Sequence, residues 1–127
     1  MGSLCQNRPM FTVFVEGLEF YAFHGVTEAE REVGHRFIAD IEVVVDGSAD
    51  YSDRLEDTVS YADLVQAAAQ TATAGPFKTV ERLAGVLAER ILSNHETVKE
   101  ATVHIAKRLP PLPAIAEEVG AEVTRQR

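Results

Sequence analysis

The alternation of apolar and polar residues predicts four β-strands in this chain. Residues 10–23 are rich in aromatic and β-branched side chains, as strands commonly are, and Gly17 within them indicates a bulge or a close backbone approach. Residues 35–46 alternate with period two, and residues 98–107 and 118–126 repeat that pattern more briefly. The buried side chains are predicted to be Phe37, Ala39, Ile41, Val43 and Val45 in the second strand, Val103 and Ile105 in the third, and Val119, Ala121 and Val123 in the fourth.

Apolar residues at helical spacing predict two helices between the second and third strands. The first covers residues 60–73, begins at Ser60 with Asp63 as its capping-box partner, and ends before Pro76. The second covers residues 79–94. The apolar stripes are Tyr61, Leu64, Val65 and Ala68 in the first helix, and Val80, Leu83, Ala84, Leu87, Ile91 and Leu92 in the second.

The predicted order of elements is ββααββ, which favours the α+β class. Strands and helices segregate along the chain, so we expect one antiparallel four-stranded sheet with the helix pair on one face. Such a sheet has a bare face and two open edges. Because open edges pair readily with other strands, self-association through them is expected.

An acidic segment separates the first two predicted strands. It starts at His24-Gly25, contains Glu28, Glu30 and Glu32, and ends near Gly34. A β-hairpin needs only a few linking residues, so the segment is longer than the turn requires. Loops that exceed their structural need often carry function. We therefore expect this segment to form part of an active site.

Composition and charge narrow the range of partners. The chain has 127 residues, 46% of them hydrophobic and 25% charged, as expected for one globular domain over residues 10–127. The formal net charge of -8 argues against a nucleic-acid partner, which would need a basic face. No apolar run approaches the ~20 residues of a membrane span, so we expect no membrane partner and a cytoplasmic location. Residues 1–9, with the lone Cys5, are expected to be a disordered tail.

Sequence motifs for metals and cofactors are missing. His24 lies close to Glu28 and Glu30, but the chain has no HxH or HExxH spacing. It also has no GxGxxG, P-loop, nucleophile-elbow or zinc-deaminase signature. We therefore expect neither a metal site nor a nucleotide cofactor.

Four polar residues near the ends of predicted elements are candidates for chemistry: Glu30, Tyr61, Glu81 and Lys107. Each also has a structural explanation. Glu81 in a first helical turn would complement the helix dipole, Tyr61 would be an aromatic on a helix face, and Lys107 would be a solvated cation at a strand end. Similarly, His24 is expected to be a turn residue that hydrogen-bonds the backbone of its own loop.

Six short phrases, in order and in register, resemble the dihydroneopterin aldolase family, and together they span almost the whole chain. They are Phe23-His-Gly-Val, Glu28-Ala-Glu30, Gly34-His-Arg-Phe37, Asp57-Thr-Val-Ser-Tyr61, Val80-Glu-Arg-Leu-Ala84 and Lys107-Arg-Leu-Pro-Pro111. The resemblance implies the tunnelling fold, in which ββααββ subunits pair edge to edge into a β-barrel ring. It further implies that two tetrameric rings stack into a homo-octamer, with active sites between neighbouring subunits.

The resemblance also implies a role for each candidate residue. Glu81 would anchor the pterin, with Val80 supplying backbone contacts, because one carboxylate can accept both donors of the pterin's 2-amino and N3–H edge. Tyr61 would reach in from the adjacent subunit to cover the pterin and move a proton. Lys107 and Glu30 match the family's catalytic lysine and loop glutamate.

The implied activity is the retro-aldol cleavage of 7,8-dihydroneopterin in folate biosynthesis. The products are 6-hydroxymethyl-7,8-dihydropterin and glycolaldehyde, and C2′ epimerisation is the expected side reaction. Neither a metal nor a Schiff base is needed, because the substrate carries its own C=N bond beside the side chain. No cofactor is implied.

Two departures from the family pattern leave these roles in place. His35 stands where the family usually has Gln, and Lys107 is followed by Arg108 instead of the commoner Pro. Two alternatives remain open: a dihydroneopterin triphosphate epimerase of similar fold, and a non-catalytic ring-forming paralogue that binds pterins. The phrases at His24-Gly25 and at 107–111 favour the aldolase over the epimerase. The presence of all four candidate residues argues against a non-catalytic protein.

Overall fold

The strands pair in sequence order into one antiparallel sheet. A computed structural model describes residues 10–110 and 112–127 of the chain. In this part, the order β1-β2-β3-β4 is formed by β1 (Met10–Ala22), β2 (His35–Asp46), β3 (Val98–Arg108) and β4 (Glu118–Gln126). The bounds predicted for the second and fourth strands are confirmed. The first and third strands each differ from the prediction by one residue at their C-terminal end.

Four α-helices occur within the described ranges: α1 (Glu28–Val33), α2 (Ala49–Ser52), α3 (Tyr61–Ala72) and α4 (Val80–Asn94). The long pair, α3 and α4, confirms the two predicted helices. The short helix α1 was not predicted, because the segment containing it was expected to be a loop. Ser60 is the N-cap of α3, but its hydroxyl accepts the N–H of Ala62, so the predicted capping box with Asp63 is wrong.

The hydrophobic core lies between the sheet and the two long helices. Helix α3 packs against β1, while α4 packs against β3 and β4. The five side chains predicted for the inner face of β2 are all buried, and the buried residues that meet them from the helices include Leu64, Ala68, Leu83, Leu87 and Ile91. Burial of one large aliphatic side chain is worth about 1.5–3 kcal/mol, so this contact fixes both helices on one face of the sheet.

The two edge strands are less buried than the centre of the sheet. On β4, Ala121 and Val123 are half-buried and Val119 is 38% exposed, so the prediction that all three are core residues is only partly right. The reason is the position of β4, which has a neighbouring strand on one side only. Likewise Tyr61, placed on the apolar stripe of α3 by its spacing, is 69% exposed.

The irregularity predicted at Gly17 is a β-bulge in β1. The pairing register between β1 and β2 shifts between Val15 and Leu18. Gly17 has φ +68°, a conformation that favours glycine, and its N–H donates to Asp40 Oδ1 at 2.7 Å. The bulge is therefore tied to the neighbouring strand by a side-chain hydrogen bond.

Some sequence predictions fall outside the residues that the structure describes. The expected disordered tail, residues 1–9, is one of them, and Pro111 in the last family-like phrase is another. None of the helices in the described ranges combines the length and the hydropathy that crossing a membrane would require.

Candidate active site

Glu30 is held at the start of α1 by a reciprocal pair of hydrogen bonds. Thr27 is the N-cap of the helix, and its Oγ1 accepts the backbone N–H of Glu30 at 3.1 Å. Glu30 Oε1 in turn accepts the backbone N–H of Thr27, also at 3.1 Å. This capping box satisfies two donors that the helix start would otherwise leave unpaired. The glutamate is therefore oriented by its own close neighbour in sequence.

Lys107 reaches the other carboxylate oxygen of Glu30. Its Nζ lies 3.0 Å from Glu30 Oε2, and the lysine is only 8% exposed. Nζ also lies 5.4 Å from the ring centre of Phe37, which is buried beside it. The alternative expectation of a solvated cation at the end of a strand is therefore wrong. The Lys107–Glu30 pair joins β3 to α1, two segments that are 77 residues apart in sequence.

The hydrogen bonds at Glu30 keep its carboxylate ionised. The backbone N–H of Thr27 is the largest cause and the hydrogen bond from Lys107 is the next, and together they lower the pKa of Glu30 from 4.5 to about 2. At neutral pH Glu30 is therefore a carboxylate that accepts a hydrogen bond from Lys107 before any ligand binds.

A close turn packs Gly25 against Glu30. A Cβ atom at position 25 would lie 2.5 Å from the Cβ of Glu30, so any larger residue would displace one of them. The guanidinium of Arg31 donates to the carbonyls of Gly25 and Val26, at 2.9 and 2.8 Å. The turn and α1 are therefore packed as one unit around the carboxylate.

His24 is buried and bound to distant backbone groups. It is 2% exposed, its Nε2 lies 3.0 Å from the carbonyl oxygen of Ala72, and its Nδ1 accepts the N–H of Phe77 at 2.9 Å. The prediction that His24 bonds the backbone of its own loop is therefore wrong. Because an amide N–H can only donate and a carbonyl can only accept, both bonds form together only in the neutral imidazole with its proton on Nε2.

Burial favours that neutral form. Desolvation lowers the pKa of His24 below its ordinary value of 6.5, the hydrogen bond to Ala72 raises it in part, and the charge of Lys107 lowers it further. The imidazole is therefore a stable neutral link at physiological pH.

Helix α4 begins three residues after Phe77 and presents Val80 and Glu81. Its N-cap is Thr79, whose side chain accepts the N–H of Arg82. Val80 is half-buried, and Glu81 is exposed in the first turn, as predicted. Within the described part of the chain, the Glu81 side chain makes no hydrogen bond or ion pair. Both of its oxygens can therefore accept hydrogen bonds from a ligand.

Tyr61 is separate from the other candidates in this subunit. It is the first residue of α3 and is 69% exposed. Among residues 10–110 and 112–127, no hydrogen bond or ring contact joins its side chain to Lys107, Glu30 or Glu81. The structure thus brings Lys107 and Glu30 together and leaves Tyr61 at the surface.

Two hollows among those of the described structure bear on the choice of site. One of about 310 Å³ contains a catalytic candidate, Glu30, and is lined by Ala29, Glu30, Val33, Gly34, His35 and Leu109. A larger one, of about 610 Å³, lies on the bare face of the sheet and contains none of the predicted site residues. The smaller hollow is the candidate site, because it contains Glu30, which is paired with the buried Lys107.

His35, a departure from the family pattern that the resemblance implies, lies at the rim of that smaller hollow. Its Nε2 lies 2.9 Å from the carbonyl oxygen of Arg108, and its ring meets Phe37 edge-on. It therefore ties the start of β2 to the end of β3 beside Lys107. In the described part of the chain, no group of three His, Cys, Asp or Glu residues could hold a metal ion.

Sequence reasoning missed several residues that build the site. Thr27 carried a usable signal, since Thr27-x-x-Glu30 is the sequence form of a capping box. Phe37 was predicted as core but not as the ring beneath Lys107. Phe77 and the partners of His24 gave no signal, because their contacts span 48 and 53 residues of sequence.

Comparisons with known proteins agree on one family. The dihydroneopterin aldolase (FolB) family model matches residues 13–124. The chain is 38% identical over 119 residues to a dihydroneopterin aldolase of Bacillus subtilis, covering 93% of this chain and 99% of the relative. A Streptococcus pyogenes dihydroneopterin aldolase is 35% identical over the same length, covering 93% of this chain and all of the relative. The crystal structure of Escherichia coli dihydroneopterin aldolase in complex with neopterin superposes with a TM-score of 0.80 at 28% identity, covering 91% of this chain and 98% of that one.

Proposed function

The chain belongs to the dihydroneopterin aldolase family and shares its lyase activity in folate biosynthesis, and we propose that the Lys107–Glu30 pair is its acid–base centre. The observation that carries this proposal is a buried lysine, Lys107, whose Nζ lies 3.0 Å from the partly buried carboxylate of Glu30 at one end of the sheet. Burying a charge is costly unless it is paired, and a surface lysine would serve stability as well or better. A buried lysine oriented by a carboxylate that lines a hollow is suited to proton transfer instead.

In the proposed reaction, Lys107 first releases a proton to solvent, and its amine then takes the proton of the substrate's 2′-hydroxyl group, directly or through one water positioned with Glu30. The C1′–C2′ bond then breaks, C2′ becomes the aldehyde carbon of glycolaldehyde, and the bonding electron pair moves into the ring toward N5. The resulting enamine is protonated at C1′ by Tyr61 or a water to give 6-hydroxymethyl-7,8-dihydropterin. Each positioned acid or base contributes ~100- to 10,000-fold to the rate. Glu30 holds Nζ in place throughout.

Glu81 and Val80 form the proposed pterin anchor. A carboxylate accepts two parallel hydrogen bonds in a bidentate geometry, which matches the 2-amino and N3–H edge of the pterin. The free oxygens of Glu81 and its place in the first turn of α4 support this role. The E. coli structural neighbour, which binds neopterin, is consistent with a pterin ligand in this family.

The complete site is proposed to form between two subunits. The open edges β1 and β4 would pair between copies to close a β-barrel ring of four subunits, and two rings would stack into an octamer. Tyr61 would then enter the site of the neighbouring subunit, which agrees with its 69% exposure in the single chain. A cytoplasmic location and C2′ epimerisation as a side activity complete the proposal. The latter would follow from re-addition of the enamine to the opposite face of glycolaldehyde.

The activity is tested by incubating the protein with 7,8-dihydroneopterin in the presence of a chelator. We expect glycolaldehyde and 6-hydroxymethyl-7,8-dihydropterin to appear in equal amounts, with the C2′ epimer as a minor product. The epimer without glycolaldehyde would favour an epimerase, and no product at high enzyme concentration would favour a non-catalytic pterin-binding protein.

The shared site is tested by mixing two variants, each of which is expected to have lowered activity. Tyr61→Phe and Lys107→Ala subunits are unfolded together, refolded as mixed assemblies and assayed. If Tyr61 serves the neighbour's site, some interfaces in the mixture hold both native residues and activity returns. Mixed assemblies that stay inactive, or a protein that is monomeric at assay concentration, would contradict the proposal.

A further inference from the structure

We propose that His24 is a positioning residue that sets the separation between the Lys107–Glu30 pair and the pterin-anchoring first turn of α4. The inference rests on the proposed roles of Glu81 and Lys107. The retro-aldol step needs a fixed distance between the bound pterin ring and the base. The residue proposed to anchor the pterin, Glu81, and the base, Lys107, belong to different elements.

The turn at His24-Gly25 makes hydrogen bonds to both the backbone N–H and the backbone carbonyl of Phe77. The Phe77 N–H donates to His24 Nδ1 at 2.9 Å, and the Phe77 carbonyl accepts the N–H of Gly25 at 3.0 Å. Phe77 lies three residues before Val80, and Gly25 packs directly on the side chain of Glu30. The start of α4 is therefore fastened to the same turn that packs on the catalytic carboxylate.

The imidazole also contacts both halves of the site through its ring. It stacks on Phe77, with ring centres 5.2 Å apart and planes inclined by 26°. It meets Phe37 edge-on at 5.8 Å, and Phe37 in turn lies under the Lys107 ammonium. Movement of α4 relative to the ion pair would therefore disturb these ring contacts as well as the hydrogen bonds.

A third contact fixes the other end of the connection between the helices. His24 Nε2 donates to the carbonyl of Ala72, the last residue of α3, which has no helical N–H left to accept. The imidazole thus holds residues 72 and 77 at the two ends of a connection that contains Gly75 and Pro76. Without it, the backbone before α4 would lose its side-chain support.

The test compares two substitutions that each retain one of the two hydrogen bonds of the imidazole. His24→Asn places an acceptor near the position of Nδ1 and keeps the bond to Phe77, whereas His24→Gln places a donor near Nε2 and keeps the bond to Ala72. We expect His24→Gln to lower kcat roughly 10- to 100-fold per folded site, because small misplacements of reacting groups have effects of that size. Its dissociation constant for the probe neopterin should change much less, since Glu81 is still present. His24→Asn should lose markedly less activity.

Ile91→Val is the matched control for stability. It creates a small cavity at a fully buried position near the C-terminal end of α4, whose N-terminal end follows Phe77. It should lower the melting temperature without changing kcat. Equal losses in His24→Asn and His24→Gln, or an unchanged kcat in His24→Gln, would overturn the proposal.

A measurement on the unmodified protein guards against variants that fail to fold. Nitrogen NMR should place the His24 proton on Nε2, and the Phe77 amide should exchange slowly with solvent. A proton on Nδ1 would overturn the positioning role. If the unmodified protein releases no glycolaldehyde, the proposed function fails by itself, and the NMR result still decides whether His24 makes the link.

Discussion

The Lys107–Glu30 pair and the first turns of α3 and α4 carry the same proposed site, but their surroundings differ. Lys107 is 8% exposed and has a charged partner at 3.0 Å, and Glu30 makes further bonds to Thr27. Tyr61 is 69% exposed, and within the described chain neither its side chain nor that of Glu81 has a bonded partner. One half is built within the subunit, and the other presents unused groups at the surface.

This difference indicates that one part of the site is preorganised and the other is kept accessible for binding. Groups that transfer protons benefit from a geometry that is already fixed in the folded protein. Groups that contact a ligand or a neighbouring subunit must remain accessible until that contact forms. Substitutions in the first half should therefore affect both stability and turnover, while substitutions in the second half should leave the stability of the subunit almost unchanged.

The largest effect is expected at Lys107. Lys107→Ala should lower kcat by ~100- to 10,000-fold, because it removes the proposed base. Lys107→Arg should keep the charge pair with Glu30 and most of the stability, yet remain inactive, since a guanidinium does not give up its proton. The measurement is the rate of glycolaldehyde release, normalised to folded protein by circular dichroism. Lys99→Ala, on the same strand, is the control with unchanged turnover, and an active Lys107→Arg enzyme would rule out the base role.

Glu81→Ala should give the next largest effect, on pterin affinity. The pterin's donor pair would be left without its acceptor, which costs ~1–3 kcal/mol, or about 5- to 150-fold in the dissociation constant. The melting temperature should hardly change, because the side chain is exposed and unbonded in the described structure. Calorimetric titration with neopterin measures the affinity. Asp63→Ala, a carboxylate in the first turn of the neighbouring helix, should bind normally, and equal losses in both variants would contradict an anchor role.

The smallest effect is expected for the stability contributed by Glu30. Its pKa is about 2 in the folded protein and 4.5 in the reference state, so the folded state binds the proton less well. The resulting stabilisation is present above pH 4.5 and is lost as the pH falls toward 2. It amounts to about 1–2 kcal/mol after allowance for the partial exposure of the carboxylate.

Urea denaturation at a series of pH values measures this contribution. The unfolding free energy of Glu30→Gln should lack the part of the acid dependence that the native protein shows between pH 4.5 and 2. Glu28→Gln, at an exposed carboxylate of the same helix, should retain it. Identical pH dependence in the native protein and Glu30→Gln would show that the capping box and ion pair do not stabilise the fold.

Periodicity predicted the regular elements because each of them obeys one local rule. The alternation over residues 35–46 matches β2 at both ends, and the inner face of that strand is buried as expected. Helix α1 was missed because none of its residues is buried, so it has no apolar stripe to detect. Its only sequence signal was the capping-box pattern Thr27-x-x-Glu30. A similar pattern at Ser60 and Asp63 predicted a capping box that the structure does not contain.

The sequence by itself determined the α+β class, the two long helices, the family and the identity of the candidate residues. These depend on side-chain spacing and on short phrases, which are local properties of a chain. Only the tertiary structure decided that Lys107 is buried and paired with Glu30, and that Tyr61 is exposed at the surface. It also decided that His24 hydrogen-bonds the backbone of Ala72 and Phe77. Such contacts join residues 48 to 77 positions apart, and they arise from the packing of strands and helices that no local pattern encodes.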